Sequence, residues 1–377
     1  MKYYVIAGEA SGDLHGSNLM KAIRVNDAQA EFRCWGGDLM QEQGGELVKH
    51  YRSLAFMGFI EVIANLRTII KNIKFCKQDL LAWNPDAMIF IDYPGFNLRI
   101  AEFARQQGIK TIYYISPQIW AWKESRIHKI KRDIDKMMVI LPFEKDFYHK
   151  WDMEVDFVGH PLLDEIGTRK WIDESWKKKH GIPENKKLIA LLPGSRKQEI
   201  DTMLPIMIEA TEGMDDYHFL LAIAPSQGLE AYTSQLNNRS NITHIQGETY
   251  AILSASSGAL VTSGTATLET AIFGVPEVVC YKANKVSYWI ARQLIKVKFI
   301  SLVNLVMDRE IVKELIQADL NPKQVKSELL KILETDEREK MLASFEELKL
   351  KLGGEGASSN AADVIDKFLA SKSEIKN

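Results

Sequence analysis

Short β-rich runs that alternate with helical patterns constrain this chain more than any other feature. They are Tyr3 to Ala7, Phe32 to Trp35, Ala87 to Ile91, Thr111 to Ile115, Met137 to Leu141 and Val155 to Val158. Strands with no polar alternation are buried on both faces, which demands a parallel sheet with helices above and below it. Leu98 to Gln107 and Glu144 to Trp151 have the helical pattern between them, so the order is strand, helix, strand, as in a doubly wound α/β fold. A turn-rich passage around Gly159 to Arg169 precedes a second series: Leu188 to Leu192, His218 to Ile223, Ile242 to Ile245, Ala259 to Thr262 and Val278 to Tyr281. With 377 residues, 46% of them hydrophobic, the chain can bury two cores. The expectation is two Rossmann-like domains facing a cleft, over residues 1–165 and 166–352. Past Pro322 the pattern is mostly helical. The break Gly353-Gly354-Glu355-Gly356 then lets a last helix within residues 353–377 return to the first domain.

Charge and cysteine content exclude several classes of function. With 48 basic and 50 acidic residues the formal charge is −2, so no basic excess neutralises a nucleic-acid backbone. Cys34, Cys76 and Cys280 lie far apart with no CxxC spacing, which argues against a disulfide framework or structural zinc and suits a reducing cytoplasm. His160 has no evident second ligand, so no metal site is expected. The opening residues reach Gly8, Glu9 and Asp13 without an apolar h-region, and no stretch of about 18 apolar residues follows. Neither a signal peptide nor a spanning helix is expected, and any membrane contact is peripheral.

In open parallel sheets ligands bind beyond the carboxyl ends of the strands. The first strand runs into Gly8-Glu9-Ala10-Ser11-Gly12-Asp13, either a ligand-facing turn or simply a helix cap; it is not a GxGxxG fingerprint. Ala87 to Ile91 ends in Asp92-Tyr93-Pro94-Gly95-Phe96-Asn97. Asp92 can remove a proton from a hydroxyl or merely organise the turn, and Asn97 falls where the next helix starts. Trp120 and Trp122, in Ser116 to Trp122, can line a sugar or acyl site or pack on the sheet. In the second domain Gly194, Ser195 and Arg196 follow a strand, combining backbone N–H groups with a guanidinium suited to a diphosphate. Ser263, Gly264 and Thr265 open a helix whose positive end suits phosphate oxygens, with Glu269 placed to accept from ribose hydroxyls. No GxxxxGK[ST] accompanies them, so ATP hydrolysis is disfavoured. The pair of turns points to a nucleotide-diphosphate donor, its leaving group stabilised by Arg196 and a helix N-terminus without a metal or other cofactor.

Phe59, Ile60, Val62, Ile63, Leu66, Ile69, Ile70 and Ile73 recur at helical spacing with Arg67, Lys71, Lys74 and Lys77. This suits either a helix packed on the sheet or one lying in a membrane interface. Lys123, Arg126, His128, Lys129, Lys131 and Arg132 form a second basic stretch, suited to anionic lipid or a phosphorylated acceptor, or simply a solvated face.

GEASGD, IDYPGFN, SPQIWAW, LPFE, GHP, LLPGSR, SGTATLE and SLVNL occur in that order. Across nearly its whole length the chain resembles the lipid-A-disaccharide synthase family. The resemblance implies a GT-B type inverting glycosyltransferase that moves 2,3-diacylglucosamine from its UDP derivative to 2,3-diacylglucosamine 1-phosphate, releasing UDP and forming a β-1′,6 linkage. By motif it makes Asp92 the base on the acceptor 6-hydroxyl, and it gives UDP to Gly194, Ser195, Arg196, Ser263, Gly264, Thr265, Glu269 and Asn304. Gly8, Glu9, Ser11, Gly12, Asp13, Asn97, Trp120 and Trp122 then border the acceptor or transferring sugar. It favours a membrane contact through the helix of Phe59 to Lys74, on the cytoplasmic side of a Gram-negative inner membrane. It also suggests a homodimer, with a tail that can be exchanged between subunits. A UDP-N-acetylglucosamine 2-epimerase shares this layout, and a non-catalytic lipid- or nucleotide-binding module is the remaining alternative.

Overall fold

The computed structural model describes residues 1–54, 66–167, 170–224, 227–236, 239–283 and 297–371. It contains two compact units: residues 1–164 with 352–377, and residues 165–351.

The first unit is built on a parallel sheet in the order β3-β2-β1-β4-β5-β6-β7. Its strands are β1 (Lys2–Ala7), β2 (Glu31–Gly36), β3 (Glu46–His50), β4 (Ala87–Ile91), β5 (Lys110–Tyr114), β6 (Lys136–Val139) and β7 (Asp156–Phe157). The period of two along β1 feeds two cores. Tyr4 and Ile6 join Met88, Phe90, Cys76, Leu80 and Ile100 on one face. Tyr3, Val5 and Ala7 join Ile89, Leu19, Met20 and Ile23 on the other. β3, with the sequence ELVKH, was not expected. It is a half-buried edge strand, where charged residues are tolerated because one side faces solvent.

The second sheet runs β10-β9-β8-β11-β12-β13. It comprises β8 (Lys187–Leu192), β9 (Tyr217–Ile223), β10 (Ile242–Gln246), β11 (Gly258–Thr262), β12 (Glu277–Tyr281) and β13 (Lys313–Ile316), all paired in parallel. β13 (KELI), again an edge, has too few apolar residues to stand out in sequence.

The last helix, Ala357–Ala370, packs in the first unit, where Ala361, Ala362 and Ile365 enter the core of Leu19 and Ile23. Asp164 secures its start. The carboxylate accepts from the backbone N–H of Gly356 (2.5 Å), Ala357 (3.2 Å) and Ser358 (3.0 Å), supplying partners for donors that a helix end otherwise leaves unmet. Asp164→Ala is expected to cost about 1–2 kcal/mol and to speed amide exchange selectively in residues 356–370. Unchanged exchange there would show that core packing alone holds the helix.

Candidate active site

Each sheet reverses its strand order at one place, between β1 and β4 in the first unit and between β8 and β11 in the second. Crossovers on either side of such a switch point diverge and leave a crevice at the strand ends.

In the first unit Ala7 pairs with Ile91, so Gly8-Glu9 and Asp92-Tyr93 leave the sheet side by side. Gly8 has no room for a side chain, since a Cβ there would lie 2.3 Å from Cγ of Tyr93. Asp92 (φ 41°), Tyr93 (φ 48°) and, on the neighbouring tip, Ile115 (φ 63°) all adopt the left-handed conformation. For a β-branched residue this is an outlier, and such strain concentrates where surrounding structure imposes it. The Asp92 carbonyl is fixed from two sides, by Asn97 Nδ2 (2.7 Å) and the Tyr113 hydroxyl (2.5 Å). Asp92 as a whole is an exposed residue at the strand tip. Crowding by the surrounding chain, and then the Glu9 carboxylate, push its pKa up to about 6. An accessible carboxylate that titrates near neutrality can take a proton from a substrate hydroxyl.

Other residues singled out around this tip do different work. Ser11 is exposed and Gly12 buried in the first turn of the helix Ala10–Asn26. Asp13 turns away from the crevice. It is 3% exposed and accepts from the backbone N–H of Gly37 (2.7 Å), Met40 (3.1 Å) and Leu39 (3.2 Å), so it organises a neighbouring turn instead of facing a ligand. Asn97 is buried beneath Asp92 as a support. Trp120 is half-buried, its indole donating to Glu144 (3.2 Å), which also accepts from the N–H of Ile140 and Leu141. Burial raises the Glu144 pKa to about 7 against these bonds. Glu144 was missed as an individual residue because nothing in LPFE signals that its carboxylate anchors a loop some twenty residues earlier. The Trp122 side chain lies outside the described residues.

In the second unit Leu192 pairs with Val261, which brings the two glycine turns together. Gly194 has φ 109°, and a Cβ there would meet Glu199 Oε2 at 2.5 Å. The Glu199 carboxylate folds back onto the N–H of Ser195 (3.2 Å) and Arg196 (3.3 Å) and also pairs with the Arg196 guanidinium at 3.5 Å, which is 71% exposed. Gly264 and Thr265 are exposed at the start of the helix Thr265–Ile272, where no side chain caps the N–H groups. This turn is the more open of the two. Ser263 is anchored through its hydroxyl to the Ile300 carbonyl (2.8 Å). Asn304 is 0% exposed and entirely engaged: Nδ2 donates to the Val312 carbonyl and Glu314 (both 2.9 Å), and Oδ1 accepts from the N–H of Ile311 (2.7 Å) and Val312 (3.1 Å). With no polar atom left for a nucleotide, Asn304 corrects the sequence expectation. It braces the segment that receives Ser263.

Glu269 lies one turn below Gly264, with its pKa raised to about 7 by burial despite a hydrogen bond with Tyr250. Tyr250 belongs to a pocket of about 360 Å³ lined by Trp171, Gly247, Glu248, Thr249, Tyr250 and Ala251. Trp171 and Tyr250 meet edge to face at 4.9 Å. This aromatic pocket, unread in the sequence because Trp171 and Tyr250 are far apart, suits a flat heterocyclic base.

Phe59, Ile60, Val62 and Ile63 lie outside the described residues. The described helix Leu66–Trp83 buries Asn72, Cys76 and Leu80. Leu66 and Ile70 are 52% and 57% exposed, beside exposed Arg67, Lys71 and Lys74, and Ile69 is half-buried. Among the described residues no group of three or more His, Cys, Asp or Glu could hold a metal ion, and no helix is long and apolar enough to cross a membrane.

Two doubly wound parallel-sheet units, each with polar loops at its switch point, define a glycosyltransferase-type α/β protein of the GT-B class. Solved structures share the fold. A glycosyltransferase of kitacinnamycin superposes with TM-score 0.67 at 15% identity, over 98% of this chain and 99% of its own. UDP-GlcNAc 2-epimerase from Neisseria meningitidis, bound to UDP-GlcNAc, does so with 0.63 at 12%, over 98% and 100%. At the level of sequence, residues 3–368 match the family model of lipid-A-disaccharide synthetase. The chain is 40% identical to lipid-A-disaccharide synthase of Syntrophus aciditrophicus (strain SB), over 95% of both chains. It is 35% identical to that of Myxococcus xanthus (strain DK1622), over 97% of both. The chain belongs to the lipid-A-disaccharide synthetase family, glycosyltransferases of lipid A biosynthesis.

Proposed function

We propose that the protein transfers 2,3-diacylglucosamine from UDP-2,3-diacylglucosamine to 2,3-diacylglucosamine 1-phosphate, forming the β-1′,6 disaccharide and UDP. The carrying observation is the accessible carboxylate of Asp92 at the switch point, with a pKa near 6. As base it takes the proton of the acceptor 6-hydroxyl while that oxygen attacks the anomeric carbon from the face opposite UDP, so a single displacement inverts the configuration. Tyr113 and Asn97 hold the Asp92 backbone, and Glu9 tunes its carboxylate. Ser11, Gly12 and Trp120 border the acceptor.

On the donor side, Arg196 and the N–H groups after Gly264 balance the diphosphate as the glycosidic bond breaks. Glu269 accepts from the ribose, and the Trp171–Tyr250 pocket takes the uracil. Mass spectrometry of purified protein with both acylated substrates tests the reading. The disaccharide 1-phosphate and UDP are expected, whereas an isomerised UDP-sugar formed without acceptor would replace the transferase with an epimerase.

Acylated substrates require access to a lipid surface, and the helix ending at Trp83 carries exposed Leu66 and Ile70 among cations. It is the proposed contact with the inner face of the inner membrane. Leu66→Ser with Ile70→Ser is expected to weaken partitioning onto anionic vesicles roughly tenfold with no loss of thermal stability. Unchanged partitioning would return the helix to a purely structural role. Exchange of the tail helix in a homodimer belongs to the same proposal, with light scattering as its test.

A further inference from the structure

The aromatic pocket of the second unit takes its walls from two separate stretches of chain. One is the turn Gly247 to Tyr250, which leaves β10 and is tied to the sheet where the Gly247 N–H donates to the Ile223 carbonyl (3.1 Å). Gly247 has φ 75°, the left-handed conformation that lets the chain turn there. The other stretch carries Trp171 and precedes β8, the first strand of that sheet. A wall that stands outside the strand ladder takes its place from side-chain contacts, so the groups that join the two stretches set the width of the pocket.

Aromatic packing makes one such join. Trp171 meets Tyr250 edge to face at 4.9 Å, and Phe273 stands 6.2 Å from the first ring and 5.4 Å from the second. Ring contacts of this kind are each modest in energy.

The second join is polar and centres on Glu248, which itself lines the pocket. Its Oε2 accepts from the indole N–H of Trp176 (2.6 Å) and faces Nε2 of His180 at 3.4 Å, while Oε1 accepts from the Lys179 ammonium (3.1 Å). Trp176 and Lys179 bound a short helix just after Trp171, and His180 follows it. Trp176 is 5% exposed and belongs to the same core as Ala251 and Ile252, against which Tyr250 packs. One carboxylate thus gathers three side chains from the Trp171 stretch onto the turn that carries Tyr250. Bonds from an indole and an ammonium to a carboxylate are charge-assisted and stronger than neutral ones.

We infer that Glu248 is a positioning residue for the nucleobase of the donor, clamping the Trp171 stretch to the Tyr250 turn and so fixing the gap that receives the base. This rests on the reading of that pocket as the uracil site.

Glu248→Ala, Glu248→Gln, Lys179→Ala and, as a direct probe of the pocket, Tyr250→Ala test it in the full-length protein. Calorimetric titration with UDP, inhibition by inorganic pyrophosphate, and kcat and KM for donor and acceptor are measured. Glu248→Ala is expected to weaken UDP binding and raise the donor KM by about 10-fold, with kcat, the acceptor KM and pyrophosphate inhibition as in the parent protein. Glu248→Gln keeps an acceptor for the Trp176 indole and should recover part of the loss. Lys179→Ala removes one exposed partner and should cost about 2- to 3-fold in UDP affinity. Equal losses for UDP and pyrophosphate, or a fall in kcat with an unchanged donor KM, would make Glu248 a support of the whole unit and overturn the inference. Should Glu248→Ala fail to fold, unchanged UDP affinity in both Glu248→Gln and Lys179→Ala would overturn it. Weakened UDP binding in Tyr250→Ala but not in Glu248→Ala would keep the uracil site and remove the clamp. Unchanged UDP binding in both, with the parent protein active, would refute the uracil site itself.

Discussion

Asp92→Asn is expected to lower disaccharide formation by about 10²–10⁴-fold, the usual contribution of a positioned general base, while UDP affinity stays as in the parent protein. The same residue sets the pH dependence. A base must be deprotonated, and its pKa is raised to about 6, so kcat/KM should rise tenfold per pH unit below about pH 6 and level off above it. Glu9→Gln removes a neighbouring negative charge and should move the break downward. The stability effect has the opposite sign. Because the folded pKa lies above the unfolded value, ionisation of Asp92 opposes folding as pH rises through the interval between them. Asp92→Asn should therefore be at least as stable as the parent protein at neutral pH. Near-normal turnover in this variant, or a profile with no break between pH 5 and 7, would remove Asp92 from the role of base.

Arg196→Gln is the second substitution with a large expected effect. Glu199 already satisfies the N–H groups of Ser195 and Arg196, so the Arg196 guanidinium, exposed and held by Glu199 through a long 3.5 Å contact, is the positive group that the β8 turn offers a diphosphate. Charge grows on the diphosphate as the sugar leaves. The loss should therefore fall on kcat as well as on donor binding, by about 10²–10³-fold in kcat/KM. Arg196→Lys should restore only part, because a point charge cannot reproduce the fork. Calorimetric titration with UDP checks the ground-state share, and an acceptor KM close to that of the parent would place the effect in the second unit. Unaltered UDP affinity together with unaltered turnover would leave the open turn at Gly264 as the diphosphate site.

Both predictions concern residues that can be read from sequence for a definite physical reason. Asp92 directly follows an uninterrupted apolar run and Arg196 stands in the glycine turn just beyond another, and the end of a buried parallel strand is where a chain can present polar groups to a ligand. Family motifs in sequence mark the neighbourhood of a site without separating contact from support. Asp13 and Asn304 stand in motifs as prominent as those of Asp92 and Glu269, yet each has its side-chain polar atoms bound within the surrounding chain, to backbone groups and, for Asn304, also to the Glu314 carboxylate. Only hydrogen-bond partners distant in sequence reveal this.

By itself, then, the sequence determined the doubly wound class, the strand tips that carry chemistry, and the family. Continuous burial, glycine turns and motif order are local properties of the chain. The tertiary structure decided what depends on strands and helices meeting. It set the switch points that bring Gly8 beside Asp92 and Gly194 beside Gly264, and the pKa of about 6 that burial and Glu9 impose on Asp92. It brought Trp171 to Tyr250. Each of these is a relation between residues distant in sequence, set by packing across a sheet and legible only once the chain has folded.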